Sequence, residues 1–216
     1  SVTATDTLGD KALIAVKDSV QRFSDLPTKG VEGLTVKVVG DDSTVFDDYY
    51  VQFKKNDQLL PDESGGGYWV ETVKPGIEYQ IDPSTMPHVL VRESDGTFTF
   101  RQASWGARIV GDEISSPVPS FVDKKLNNLF FFRNRMGLLS GQNTIMSRAG
   151  EFFDFFPTTV TTVLDNGPID VEAAHNKAST LYHALPLDEQ LLLFSDQTQF
   201  VMSGGELLLS LIHISE

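Results

Sequence analysis

LFFFRNRMGLLSGQNTIMSRAGEFFDFFP, residues Leu129 to Pro157, holds seven of the chain's 15 phenylalanines. They form two clusters: Phe130, Phe131 and Phe132 ahead of a turn-rich middle, and Phe152, Phe153, Phe155 and Phe156 behind it. Between them, Met136-Gly137-Leu138-Leu139 and Asn143-Thr144-Ile145-Met146-Ser147 are short apolar runs split by Ser140-Gly141-Gln142. That pattern predicts a hairpin, because Gly supplies the positive φ that a tight connection needs. Aromatic side chains bury large areas, so the stretch predicts a core around which neighbouring elements close.

Upstream, alternating segments predict strands. Leu34 to Val39 and Tyr49 to Phe53 alternate as half-buried strands that pair, and Tyr68 to Val73 adds an aromatic strand after a glycine run. His88 to Arg92 and Thr97 to Arg101 flank Glu93-Ser94-Asp95-Gly96, whose Asp-Gly pair is a strong hairpin signal. Lys11 to Val16 fits either a strand or a helix, with strand favoured.

Downstream, the β-branched run Thr158 to Leu164 predicts a strand. Asp170 is placed to cap a helix from Val171 to about His183, with Val171, Ala174, Ala178 and Leu181 as its apolar stripe and Pro186 closing it. Gln190 to Phe194 and Thr198 to Met202, around Ser195-Asp196-Gln197, predict a last hairpin. The fold class expected is therefore mainly β. An antiparallel β module fills residues 1–110 and a connection with Pro117 and Pro119 fills 111–125. An incomplete propeller-like region with one short helix fills 126–205.

Composition narrows the function. The formal charge of −13, from 17 basic and 30 acidic residues, argues against a surface that grips nucleic-acid phosphates. It suits a wall past which DNA slides, and equally an ordinary soluble protein. The absence of cysteine excludes disulfides, thiol nucleophiles and cysteine-ligated metals. No apolar run reaches the ~18 residues of a membrane span, and the first residues lack the form of a signal peptide. The chain reads as soluble and made in a cytoplasm, with no stable membrane insertion.

No phosphate-binding loop, nucleophile elbow, HExxH or EF-hand loop is present. His88, His175, His183 and His213 show no metal spacing. The acidic doublets Asp41-Asp42 and Asp47-Asp48 offer oxygen ligands without the order a calcium loop requires. Arg133, Arg135 and Arg148 are either a basic patch or partners for local acids such as Asp154. The sharpest catalytic candidate is Glu151 with Asp154, since an apolar setting raises a carboxyl pKa and makes a general acid. The simpler reading is that both acids point outward while the phenylalanines point in. The expectation is accordingly no catalytic, cofactor-binding or metal residue and no cofactor.

Five strings carry a family likeness: VQRFSDLP (Val20 to Pro27), DDYYVQF (Asp47 to Phe53), NRMGLLSGQNTIMSRAGEFFDFFPTT (Asn134 to Thr159), DNGPIDV (Asp165 to Val171) and LLLFSDQTQFVMSG (Leu191 to Gly204). Together, in this order, they resemble the tail tubular protein B, or nozzle, family of short-tailed, podovirus-type phages. Members of that family are several times longer, so the chain reads as an N-proximal portion.

The resemblance implies a non-enzymatic virion tail protein, assembled in the host cytoplasm. It implies a homo-oligomer, a hexameric β-rich tube with a propeller-like domain, joined to an adaptor ring and tail fibres. DNA would be ejected through its lumen without sequence-specific binding. The alternative is a virion-associated protein that binds or hydrolyses polysaccharide through Glu151 and Asp154. After Gly204-Gly205 the family pattern calls for a polar turn and a strand. ELLLSLIHISE stands there instead, and 206–216 reads as a foreign tail.

Overall fold

Every residue of the strand Arg135–Ser140 is buried, on both of its faces. In the computed structural model, which describes residues 18–40, 48–56, 66–173, 179–203 and 210–214, this strand lies inside one of two compact units. The units interleave along the chain. One takes the described residues of Ser1–Glu78 with Ile109–Pro117 and Thr158–Thr162; the other takes Tyr79–Arg108, Val118–Pro157 and those of Val163–Glu216.

The first unit is built on a four-stranded sheet in the order β1 (Ser19–Val20), β2 (Thr35–Val38), β3 (Tyr49–Lys55), β4 (Gly67–Thr72). β1 runs parallel to β2 and the other pairs are antiparallel. Alternation places Val36, Val38 and Val51 in one core with Leu26, against which Trp69 packs. The Trp69 Nε1–H donates to the Pro27 carbonyl at 2.8 Å, so the ring stays amphipathic at its rim.

Thr158–Thr162 joins this unit through Glu71 of β4. Glu71 accepts from the Val160 N–H and the Thr159 hydroxyl, each at 2.6 Å. The strand expected over Thr158 to Leu164 does not form. The backbone bends at Val160 to Thr162, the Val160 N–H is taken by a carboxylate rather than a strand neighbour, and Val163 is 83% exposed. β-propensity alone cannot supply the missing ladder.

The second unit holds a hairpin and two antiparallel meanders. β5 (Val89–Arg92) pairs with β6 (Phe98–Arg101) across the Asp95-Gly96 turn, as the sequence predicts. β7 (Asn128–Phe132), β8 (Arg135–Ser140), β9 (Asn143–Met146) and β10 (Ile169–Glu172) form the first meander. β11 (Leu181–Leu187), β12 (Gln190–Ser195), β13 (Gln199–Ser203) and β14 (Ser210–Ile214) form the second. The predicted β8–β9 and β12–β13 hairpins are thus present, the former turning at Gly141 with φ 57°.

The β7–β8 turn places two non-glycine residues, Arg133 (φ 48°) and Asn134 (φ 57°), in the left-handed region. That is the twist a two-residue hairpin requires, although an Arg-Asn pair signals it more weakly than Asn-Gly does.

The first meander separates two cores. Phe130, Phe132, Leu139, Met146 and Ile169 face Leu181, Leu191, Leu193, Phe200 and Met202 of the second meander. Met136, Leu138 and Ile145 point the other way, into Trp105, Phe121, Phe155 and Phe156. Phe130 and Phe132 of the first cluster and Phe155 and Phe156 of the second therefore lie on opposite sides of one sheet rather than in a common core. Gly137 is small for a reason: a Cβ there would lie 2.1 Å from Cζ of Phe130, whose ring covers it.

The helix expected from Val171 to His183 is corrected at both ends. Val171 is in β10, paired with Thr144, and Leu181 and His183 are in β11, paired with Ser195 and Phe194. Ala174 and Ala178 lie outside the described residues. Pro186 does not close a helix; it sits within β11, an edge strand of its sheet among the described residues, which is where a sheet tolerates proline. Asp170 caps nothing, and accepts instead from the Ser120 N–H at 2.7 Å and the Asn143 amide at 3.3 Å. The Lys11 to Val16 run also lies outside the described residues.

Candidate functional site

The acid pair stands in a tight turn that follows β9. The Glu151 N–H donates to the Arg148 carbonyl at 3.2 Å, the Asp154 N–H to the Glu151 carbonyl at 3.1 Å, and the Arg148 N–H to the Asp154 carbonyl at 2.9 Å. Arg148 Nη1 donates to Asp154 Oδ2 at 2.8 Å, and the other oxygen of Asp154 accepts from the Phe156 N–H at 3.1 Å. Both partners of the ion pair are mostly covered, with side-chain exposures of 20% and 28%. Asp154 is thus occupied in holding its own turn, which sets Phe155 and Phe156 into the aromatic core. Glu151 points to solvent. This arrangement does not favour the polysaccharide-hydrolase reading.

The three arginines do not make a patch. Arg148 pairs with Asp154. Arg133 donates to the Glu189 carbonyl at 3.2 Å and lies over the Phe132 ring.

Arg135 is the unusual one. It is buried at the start of β8 and donates to the carbonyls of Ser147 at 2.7 Å, Asp165 at 2.6 Å, and Gly167. Burial pushes its guanidinium below the usual arginine range, but a guanidinium does not lose its proton in a protein. Its planar fork collects backbone oxygens from the loop between β9 and β10 and fixes that loop onto β8. The sequence shows an arginine beside an apolar run and gives no sign that carbonyls, not carboxylates, receive it.

The remaining candidates are dispersed. His88 stacks on Phe100 with ring centroids 5.2 Å apart, and His183 lies 3.3 Å from the Asn128 amide. His175 and the side chain of His213 lie outside the described residues, as do Asp41, Asp42 and Asp47. Asp48 is buried in an ion pair with Lys37 and accepts from the Gly40 N–H at 3.3 Å. The Asp48 hydrogen bond raises the Lys37 ammonium above its ordinary pKa, and outweighs the burial that opposes it. Among the described residues, no three His, Asp or Glu side chains stand together as a metal site requires. Among them also, no helix is long and apolar enough to cross a membrane.

What the second unit does present is apolar surface. Leu90, Phe98 and Phe100 on the β5–β6 hairpin are 65%, 63% and 70% exposed. Phe131, edge-on to Phe152 at 5.5 Å between centroids, is exposed beside Leu129 on β7. Sequence reasoning missed both surfaces, because alternation identifies a strand without saying which of its faces is covered.

Exposed apolar faces of this kind suit contact between proteins. The chain is 39% identical over 210 residues to the tail tubular protein gp12 of Escherichia phage T7. That alignment takes in 97% of this chain and 25% of the relative, so the chain spans about a quarter of the length of the protein it matches. A sequence model of the bacteriophage nozzle proteins matches residues 1–213. The chain belongs to the bacteriophage nozzle protein family.

Proposed function

We propose that the chain is a structural part of a short-tailed phage's tail, contributing to each subunit of a nozzle tube through which DNA leaves the virion. The observation that carries this reading is the family match over residues 1–213, together with the likeness to a tail tubular protein. Copies of the polypeptide close into a ring and join other tail components, and the protein works without catalysis. A ring closes when head-to-tail contacts rotate back on themselves, so each subunit needs two different complementary surfaces and no reactive cleft.

Two features support the reading. Consecutive four-stranded meanders packed face to face, β7–β10 and β11–β14, are the unit that a β-propeller repeats radially. The charge of −13 suits a channel wall that does not hold phosphates.

Gold-labelled antibody raised against residues 18–203 and applied to intact virions tests the assignment. Label confined to the tail tube is expected. Label on the capsid, or only on unassembled material, would overturn it.

A further inference from the structure

The β5–β6 hairpin wears its apolar side outward. Residues that pair directly across an antiparallel ladder share a face. Leu90 opposite Phe100 and Arg92 opposite Phe98 therefore form one face, and Val89 opposite Arg101 and Val91 opposite Thr99 form the other. The second face carries the anchor, because Val89 packs against the aromatic core of the unit. The first carries two phenylalanines and a leucine, each more than half exposed.

This arrangement reverses the usual amphipathic order of a surface hairpin, and it is held firmly. The Asp95 carboxylate accepts from the Thr97 N–H at 2.9 Å and from its hydroxyl at 2.7 Å, the Glu93 N–H donates to the Thr97 carbonyl at 2.9 Å, and Gly96 takes a φ of 88°. His88 stacks on Phe100 and extends the face. Among the described residues the hairpin is a two-stranded sheet, whose outer edges no further strand pairs. A preformed, rigid, aromatic patch of this kind is what an interface core uses.

We propose that the face formed by His88, Leu90, Arg92, Phe98 and Phe100 docks on a second copy of the same polypeptide, as one of the two unlike surfaces of a head-to-tail ring contact. This rests on the tube reading above and names where its subunits meet. Charge selects the occupant. Arg92 has no ion-pair partner among the described residues, and it stands on a chain whose formal balance is −13, so another copy of net negative charge attracts it. Apolar contact supplies the affinity and Arg92 the orientation.

The test uses the full-length polypeptide with p-benzoylphenylalanine in place of Phe98, in an equal mixture of nitrogen-15-labelled and unlabelled protein. Photolysis is expected to give crosslinked peptides that combine both isotopes, all from this polypeptide. Crosslinks within a single isotope only would mean that the face is covered by its own chain. The absence of any crosslink would equally overturn the proposal.

In parallel, Phe98→Ser with Phe100→Ser is expected to weaken self-association by about tenfold or more while the monomer's thermal midpoint holds. Arg92→Glu, a surface change that leaves the hairpin's apolar packing intact, is expected to weaken it too, and more at low salt. Rings that persist in both variants would refute the docking face while the tube reading stands. A wild-type polypeptide that forms no ring would refute both.

Discussion

β8 and β6 are both short strands of antiparallel hairpins, yet they occupy opposite extremes of this molecule. All six residues of β8 are buried, and all four residues of β6 are exposed. The difference lies in what covers them. β8 has a sheet on one side and Trp105, Phe121, Phe155 and Phe156 on the other, whereas the β6 phenylalanines lie on the face of their hairpin opposite Val89, which packs on the core. Apolar residues in the first strand are committed to folding. Those in the second are left uncovered, and the docking proposed above would use them.

Substitutions should separate the two roles. The largest effect is expected at Leu138, fully buried in β8 between strands and aromatics: Leu138→Ala should lower unfolding free energy by about 3 kcal/mol in urea titration. A value near zero would mean that the sheet is not enclosed on that side. Arg135→Met comes next, at about 2 kcal/mol, because it leaves the carbonyls of Ser147, Asp165 and Gly167 without their donor. Near-neutrality there would show that water replaces the guanidinium.

On the β6 side, Phe98→Ser and Phe100→Ser should each change monomer stability by less than about 0.5 kcal/mol, since neither ring is enclosed. A loss comparable to that at Leu138 would erase the contrast.

The smallest effect is electrostatic, and it belongs to the first unit. The folded Lys37 pKa is raised by Asp48, so the pair's contribution is complete below the unfolded lysine value of about 10.4 and is lost as pH rises through the folded value. Stability of the wild type, relative to Lys37→Met, should therefore fall across the alkaline range only. The side chain of Lys37 is about a third exposed, at 32%, and its contact with water limits the change to about 1 kcal/mol or less.

Much of this architecture is legible in the sequence, for definite reasons. The Asp95-Gly96 and Gly141 turns and the alternation of Val36, Val38, Val51 and Phe53 report local backbone requirements, and local requirements are what a sequence states directly. The helix expected over Val171 to His183 failed because helical spacing of Val171 and Leu181 is also compatible with two strands. Which applies is decided by pairing to Thr144 and Ser195, neither of which is a helical neighbour. The opposite destinations of Phe130 and Phe132 on one side, and Phe155 and Phe156 on the other, are likewise a property of the sheet between them.

The candidate site was less legible. Glu151 and Asp154 stand out among phenylalanines in the sequence, but only the geometry reveals Asp154 bound to Arg148 and Glu151 open to solvent. The hairpin's outward aromatic face gave no sign, since alternation reads the same in a covered strand and an uncovered one.

Amide hydrogen exchange of the wild-type polypeptide, followed as monomer and as assembled ring, tests the contrast most directly. The expected result is that β8 amides are protected to the same extent in both states, while amides of Val89 to Arg92 and Phe98 to Arg101 gain protection only on assembly. Equal protection of the hairpin in monomer and ring, or a gain confined to β8, would contradict it.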